Sequence, residues 1–382
     1  MQGLKGALAI VTCLALASAS LLAQRGGITG GTQLARAYEA IFDARFDAIP
    51  SLLAETCPPA PMEACQLLDV VALLWQIQLD PHNPSRDAAF RTRADTAVAA
   101  LDAWTRREPS RGEAWFYLGG AYGARAQFRV LRHETLAAAQ DGKRIKNALE
   151  RAIALDPDLQ DAYFGIGLYH YYADVAPAAA KMLRWLLLLP GGNKVEGMRE
   201  MLRARSAGQL LRSEADYQLH LIYLWYEKQT PRALELLRAL RDRHPRNPHF
   251  LQLVAEIEDA YLKDHAASLR TWQALLDAAR EDRVEFRAMT EARARLGIAL
   301  QLYRLGQHEA ARPHLRAVID TNPPAPYGAV ALAQLQLGYV LDRLGQRDAA
   351  TTSYRAALAA NPAGDPLKIA ARARSGLRAP AR

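Results

Sequence analysis

One short pattern, recurring along the chain, limits the fold more than any other feature. An apolar residue and a glycine sit together on a helix face, with large side chains one turn either side: Trp115, Leu118, Gly119 and Tyr122; Tyr163, Ile166, Gly167 and His170; and Leu337, Gly338 and Leu341. The glycine lets a neighbouring helix approach closely, and the large residues fill the space beside it. Prolines then close successive helical runs at Asp80-Pro81, Glu108-Pro109, Asp156-Pro157, Pro245, Pro323 and Pro362. Leu and Ala are abundant and β-branched runs are few, so helix is favoured throughout. A chain of 382 residues would ordinarily split into two or three domains. Repeated helix pairs escape that expectation, because each packs on its neighbours and the array can be long.

The spacing at Trp115 resembles the W-x2-L-G-x2-Y signature of the tetratricopeptide repeat (TPR), and Leu149, Ala152 and Asp156-Pro157 match its second helix and closing proline. About 14 residues more than the usual 34 separate the halves, so 125–141 lengthens the helices or adds an excursion that Gly142 breaks. A looser pair precedes it, over 65–79 and 88–107. The repeat from Glu214 keeps Tyr217, Ala233, Leu237 and Pro245 but has Leu221 where a small residue is expected. A degenerate repeat starts at Pro248, and 281–291 reads as a charged connection. Ala299, Gly306, Ala311, Val318 and Pro323 mark one further repeat; Leu337, Gly338, Leu341, Gly345, Ala350, Tyr354, Ala357 and Pro362 mark the last. The expected fold is all-α, a TPR-like right-handed α-solenoid of antiparallel helix pairs over 65–364, with an atypical apolar central repeat. An amphipathic helix over 32–54 caps it, and 365–382 follows as a basic flexible tail.

Residues 1–23 read as an export signal: Lys5, then an apolar core over 7–16, then Ala17-Ser18-Ala19 as a cleavage site, with a second cut after Ala23. An uncleaved anchor is the rival reading. Export places Cys57 and Cys65 in an oxidising compartment, where the sequence CPPAPMEAC reads as a disulfide loop. Two free thiols or a metal pair is the alternative. The net charge of +8 is carried mostly by Arg, with acidic residues interspersed, which is a solvated helical surface rather than a nucleic-acid stripe. The exception is the tail, where Lys368, Arg372, Arg374, Arg378 and Arg382 could contact anionic lipid or fray into solvent.

No catalytic constellation stands out, and no metal or cofactor is expected. His133-Glu134 lacks the second His of a zinc-binding helix, and His308 and His314 fall on different helix faces. Glycine-rich phosphate loops, G-x-S-x-G elbows and CxxC pairs are missing. His170 holds a position where the repeat carries a core packing residue. An enzyme built on a helical toroid would need a site assembled from distant helices.

Binding is the expected activity. The TPR resemblance implies a concave surface lined by the first helix of each pair. On it fall Phe116, Phe164, Tyr171, Tyr172, Trp225, Tyr226, Tyr303, Arg304, Tyr339 and Arg343. Aromatic residues with a few Arg are the anchors that protein and peptide interfaces select. Burial of Phe164, Tyr171 and Tyr172 by the central insertion is the competing reading. The apolar stretch 175–189 is too short to span a bilayer and is interrupted by Lys181 and Arg184; it forms core between two half-solenoids or docks on a membrane or partner through Trp185. Its Leu run and Pro-Gly-Gly ending distantly resemble a mitochondrial outer-membrane TPR family. The expected function is thus an exported scaffold for a protein or peptide partner, in the periplasm or beyond. The alternative is a membrane-docked assembly factor using 175–189 and the basic tail for peripheral contact.

Overall fold

A computed structural model describes residues 27–176 and 191–381. The signal at 1–23 and nearly all of the apolar stretch 175–189 lie outside them. The described residues form seventeen α-helices and no strand. They are α1 (Gly31–Phe42), α2 (Ile49–Thr56), α3 (Met62–Leu79), α4 (Asp87–Arg107), α5 (Gly112–Leu131), α6 (Thr135–Leu155), α7 (Ala162–Val175), α8 (Lys194–Ala207) and α9 (Arg212–Trp225). There follow α10 (Thr230–Arg243), α11 (Pro248–Ala260), α12 (His265–Arg280), α13 (Arg287–Arg304), α14 (His308–Thr321), α15 (Ala329–Arg343), α16 (Arg347–Ala359) and α17 (Ile369–Arg378). The chain is all-α, built of antiparallel helix pairs of the TPR-like class. Two compact units divide it: one holds the described residues among Met1–Ala35, Glu55–Leu67 and Asp95–Arg212, the other Arg36–Ala54, Leu68–Ala94 and Ser213–Arg382.

In the first unit α5 pairs with α6 and α7 with α8. The extra length after Trp115 goes into longer helices, and Gly142 lies inside α6 rather than breaking it. Gly167 and Gly197 face each other, so that a Cβ on Gly167 would stand 2.7 Å from the Gly197 carbonyl oxygen. The pattern over 163–170 therefore does mark a close helix contact, and its partner is α8. Cys57 and Cys65 are joined in a disulfide. The Asp141 side chain is buried among Arg125, Arg129 and Arg144.

In the second unit each helix from α10 to α17 packs on the next, and α11, α13, α15 and α17 also touch in succession. Local sequence fixes the joints. Asn247 Oδ1 accepts from the His249 N–H at the start of α11, with Pro248 in the first turn. Gly345 takes φ +73° just past α15, where an L side chain is strained.

Two expectations are corrected. Residues 32–54 form α1, a 3-10 turn and α2 rather than one capping helix, and Ala37, Tyr38, Ile41, Phe42, Phe46 and Ile49 are buried in core. Phe42 is fully buried, its ring 4.5 Å from Trp75, 5.4 Å from His244 and 6.3 Å from Phe250. Asn247 Nδ2 donates to the Phe42 carbonyl at 2.7 Å. A terminal cap would touch only its sequence neighbours; this segment packs on α11, some two hundred residues on.

The second correction is the tail. Residues 369–378 are helical, with Ile369 and Ala373 fully buried. The Tyr354 ring explains it. A Cβ on Gly338 of α15 would lie 2.4 Å from that ring, and a Cβ on Gly376 of α17 would lie 2.4 Å from it too. The tyrosine thus holds both helices at glycine distance. Gly338→Ala should cost about 1–3 kcal/mol by overpacking. Gly123→Ala, in α5 with open space around it, should gain roughly 0.5–1 kcal/mol. Denaturant midpoints of the two variants check both; a Gly338→Ala protein as stable as wild type would remove the ring from this role.

Candidate functional site

The expected groove residues part company. In the first unit Phe116, Phe164 and Tyr171 are buried; Phe116 packs on Tyr117 at 5.0 Å, and Tyr171 on Tyr172 at 5.8 Å. These three are core, which corrects their assignment to an open face; Tyr172 is half-buried. His170, by contrast, is half-buried rather than core: its Nδ1 is 2.7 Å from Glu200 Oε2, which joins α7 to α8. Trp225 and Tyr226, at the end of α9, are 50% and 43% exposed.

Tyr303, Arg304 and Tyr339 come together. They line an open cleft of about 330 Å³ bounded by α13, α15 and α17. Ala299, Leu300 and Val340 form its aliphatic floor, and Gln336, Arg372 and Ala381 complete it. The tyrosine rings stand 6.3 Å apart, and Tyr303 also packs on His308 at 5.3 Å. Arg343 is exposed one turn beyond Tyr339 on α15.

The polar lining is unevenly satisfied. Arg304 pairs with Asp259, which also holds His265 Nδ1 at 2.9 Å. Arg372 Nε donates to the Tyr339 hydroxyl at 3.3 Å, and its guanidinium lies 5.8 Å from the centre of that ring. No carboxylate among the described residues pairs with it. Gln336 is only 8% exposed, and its Oε1 accepts nothing. Gln336 lies one turn before Tyr339, so helical spacing alone could have found it. Arg372 was out of reach for any reading that left 365–382 as a frayed tail.

A second polar cluster lies buried in the same unit, on α3, α9 and α11. The Tyr217 hydroxyl donates to Gln78 Oε1 at 3.1 Å and stands 3.4 Å from His249 Nε2. The Tyr217 ring packs at a tilt against His220, 5.0 Å between centroids. Burial pushes the imidazoles of His220 and His249 down to about 3, and Arg293 adds to the effect at His249. Both are neutral in the fold at any ordinary pH, and each leaves Nδ1 without a partner. Among the described residues no cluster of His, Cys, Asp and Glu could hold a metal ion. No helix of the described residues is long and apolar enough to cross a membrane.

Residues 331–363, which hold most of α15 and all of α16, match the model of the tetratricopeptide repeat. The chain therefore carries a tetratricopeptide repeat in this segment. No curated protein matches it. Among solved structures it is similar to the Cut9–Hcn1 hetero-tetramer of the APC/C, at 12% identity over 83% of this chain and 55% of that one, with a TM-score of 0.41. A Rap protein complexed with the competence and sporulation factor matches at 16% identity over 90% and 77%, TM-score 0.40. NprR with its cognate peptide NprX matches at 10% over 91% and 81%, TM-score 0.40. This chain spans about half the length of the first of these.

The buried histidines give a signed pH dependence. Their folded values of about 3 lie below the roughly 6.5 of an unfolded chain. Between those limits the unfolded state binds the extra protons, so stability falls as pH drops. Comparing pH 7 with pH 4.5, wild type should lose up to about 2 kcal/mol per histidine more than a His220→Gln/His249→Gln variant. Equal losses in urea titrations at both pH values would show that these two groups do not carry the acid sensitivity.

Proposed function

We propose that the protein is an interaction scaffold that binds a protein or peptide partner on the face formed by α13, α15 and α17. One observation carries the reading: Tyr303 and Tyr339 open together onto a cleft that Arg304 and Arg372 also line. Tyrosine supplies large contact area with little side-chain entropy to lose, and Arg adds directional donors, which is why both are enriched at binding anchors. The groove is narrower than the full set of first-helix aromatics, because Phe116, Phe164 and Tyr171 support helix packing instead. Trp225 and Tyr226 form a separate exposed patch at the end of α9. Export to the periplasm belongs to the same proposal and rests on residues 1–23 as a sequence.

Affinity capture with the full chain tests the groove. A Tyr303→Ala/Tyr339→Ala variant should lose a partner that wild type retains, while a Trp225→Ala/Tyr226→Ala variant of equal helicity keeps it. A partner held equally by the first variant ends the groove reading, and one lost only by the second moves the interface to α9.

A further inference from the structure

The cleft between α13, α15 and α17 also has the make-up of a small-ligand site, on grounds separate from any macromolecular partner. Its volume of about 330 Å³ is at the low end of the ~300–1,000 Å³ typical of small-molecule pockets. It suits one ring-sized body. The two tyrosine rings and the aliphatic floor offer apolar walls for such a body.

The polar groups then decide the ligand's charge. Among the described residues two guanidinium groups line the cleft and no carboxylate does. Arg304 is answered by Asp259, but Arg372 has only the Tyr339 hydroxyl on Nε, leaving its other nitrogens free to donate. Gln336 also lines the cleft, and its buried Oε1 accepts no hydrogen bond among the described residues. An unsatisfied buried amide costs about 1–3 kcal/mol. Its two ends are interchangeable by rotation, so it can turn its NH2 to an acceptor in the cleft. One free guanidinium and one amide donor match the two oxygens of a carboxylate, which a guanidinium receives in a planar fork. A phosphate carries more charge than this lining neutralises.

We propose that the cleft binds a monocarboxylic acid with an apolar, ring-sized body, its carboxylate on Arg372 and the Gln336 amide and its body between Tyr303 and Tyr339. The acid is either a free small molecule or the carboxyl-terminal residue of a peptide; the recognising chemistry is the same.

Titration calorimetry on the full chain tests it, with 3-phenylpropionate, 3-phenylpropanamide, inorganic phosphate, and an aromatic-ended tripeptide as free acid and as amide. Either the small acid or the tripeptide acid should bind about tenfold or more tighter than its own amide. Arg372→Ala should remove that preference, Gln336→Met should weaken it with the volume kept, and Arg378→Ala, on the same helix but outside the cleft, should leave it intact. Binding by the tripeptide acid alone assigns the site to a peptide terminus and upholds carboxylate recognition. Equal binding of acid and amide, phosphate competing as well as the acid, an acid preference that survives Arg372→Ala, or no binding by either acid overturns the proposal. A macromolecular partner captured by the tyrosine face would be untouched by those results, so the two readings fail separately.

Discussion

The hydroxyl of Tyr354 donates to Asp342 Oδ2 at 2.7 Å, and much of the second unit's final architecture hangs on that contact. The same carboxylate takes Arg347 Nη1 at 2.9 Å and the Ala381 N–H at 2.8 Å. Arg347 Nη2 in turn donates to the carbonyls of Gly376 and Leu377, which are among the last of α17 and have no partner within that helix. With the Tyr354 ring lying on glycines of both α15 and α17, the last helix has little room to shift. Its fixed position sets Arg372 against Tyr339. The third wall of the cleft is therefore a consequence of packing at one tyrosine, whose ring stands 5.8 Å from that of Tyr339.

A comparable dependence joins the start of the second unit to its middle. Phe42, Trp75, Tyr217, His244, His249 and Phe250 form one aromatic cluster drawn from α1, α3, α9, the α10–α11 joint and α11. Asp80 takes the Tyr327 N–H at 3.0 Å, tying the end of α3 to the approach of α15. In a strictly linear repeat array these residues would have no reason to meet, since stability there is a sum over neighbours. Here several contacts cross more than a hundred residues. The local pattern that identifies a repeat carries no information about them.

That division describes what could be read from the sequence. Helix pairs were legible because they follow from spacing within about 34 residues: Gly338 and Gly167 both mark close helix contacts, as their offsets imply. The lengthening of α5 and α6 was legible as one of two options, and Gly142 misled because a glycine inside a long helix costs only about 1 kcal/mol. Aromatic exposure was not legible. Tyr171 and Tyr339 both lie on the first helix of a pair at positions the repeat assigns to the open face, yet Tyr171 is 1% exposed and Tyr339 lines a cleft. The difference is set by which helix comes next, and repeat position does not encode that. The basic tail was misread for a related reason: its alanines and Gly376 look featureless until the ring they fit is in place.

Charge makes the same point for function. The net +8 says only that arginines outnumber acids. Where each is placed decides what it does. Arg125, Arg129 and Arg144 converge on the buried Asp141, with Arg125 also reaching Asp95 at 2.8 Å. Those guanidiniums are committed to holding α5 against α6, because a buried carboxylate without them would cost several kcal/mol. Arg243 is likewise committed to the buried Asp216 at 3.1 Å. Arg372 differs in kind: it sits over the Tyr339 ring, shares a cleft with a buried Gln336 Oε1 that accepts nothing, and pairs with no acid among the described residues. A guanidinium held at the Tyr339 ring by one hydrogen bond, with its other donors unused, is placed for an anion, and binding one there would not first require breaking an internal ion pair.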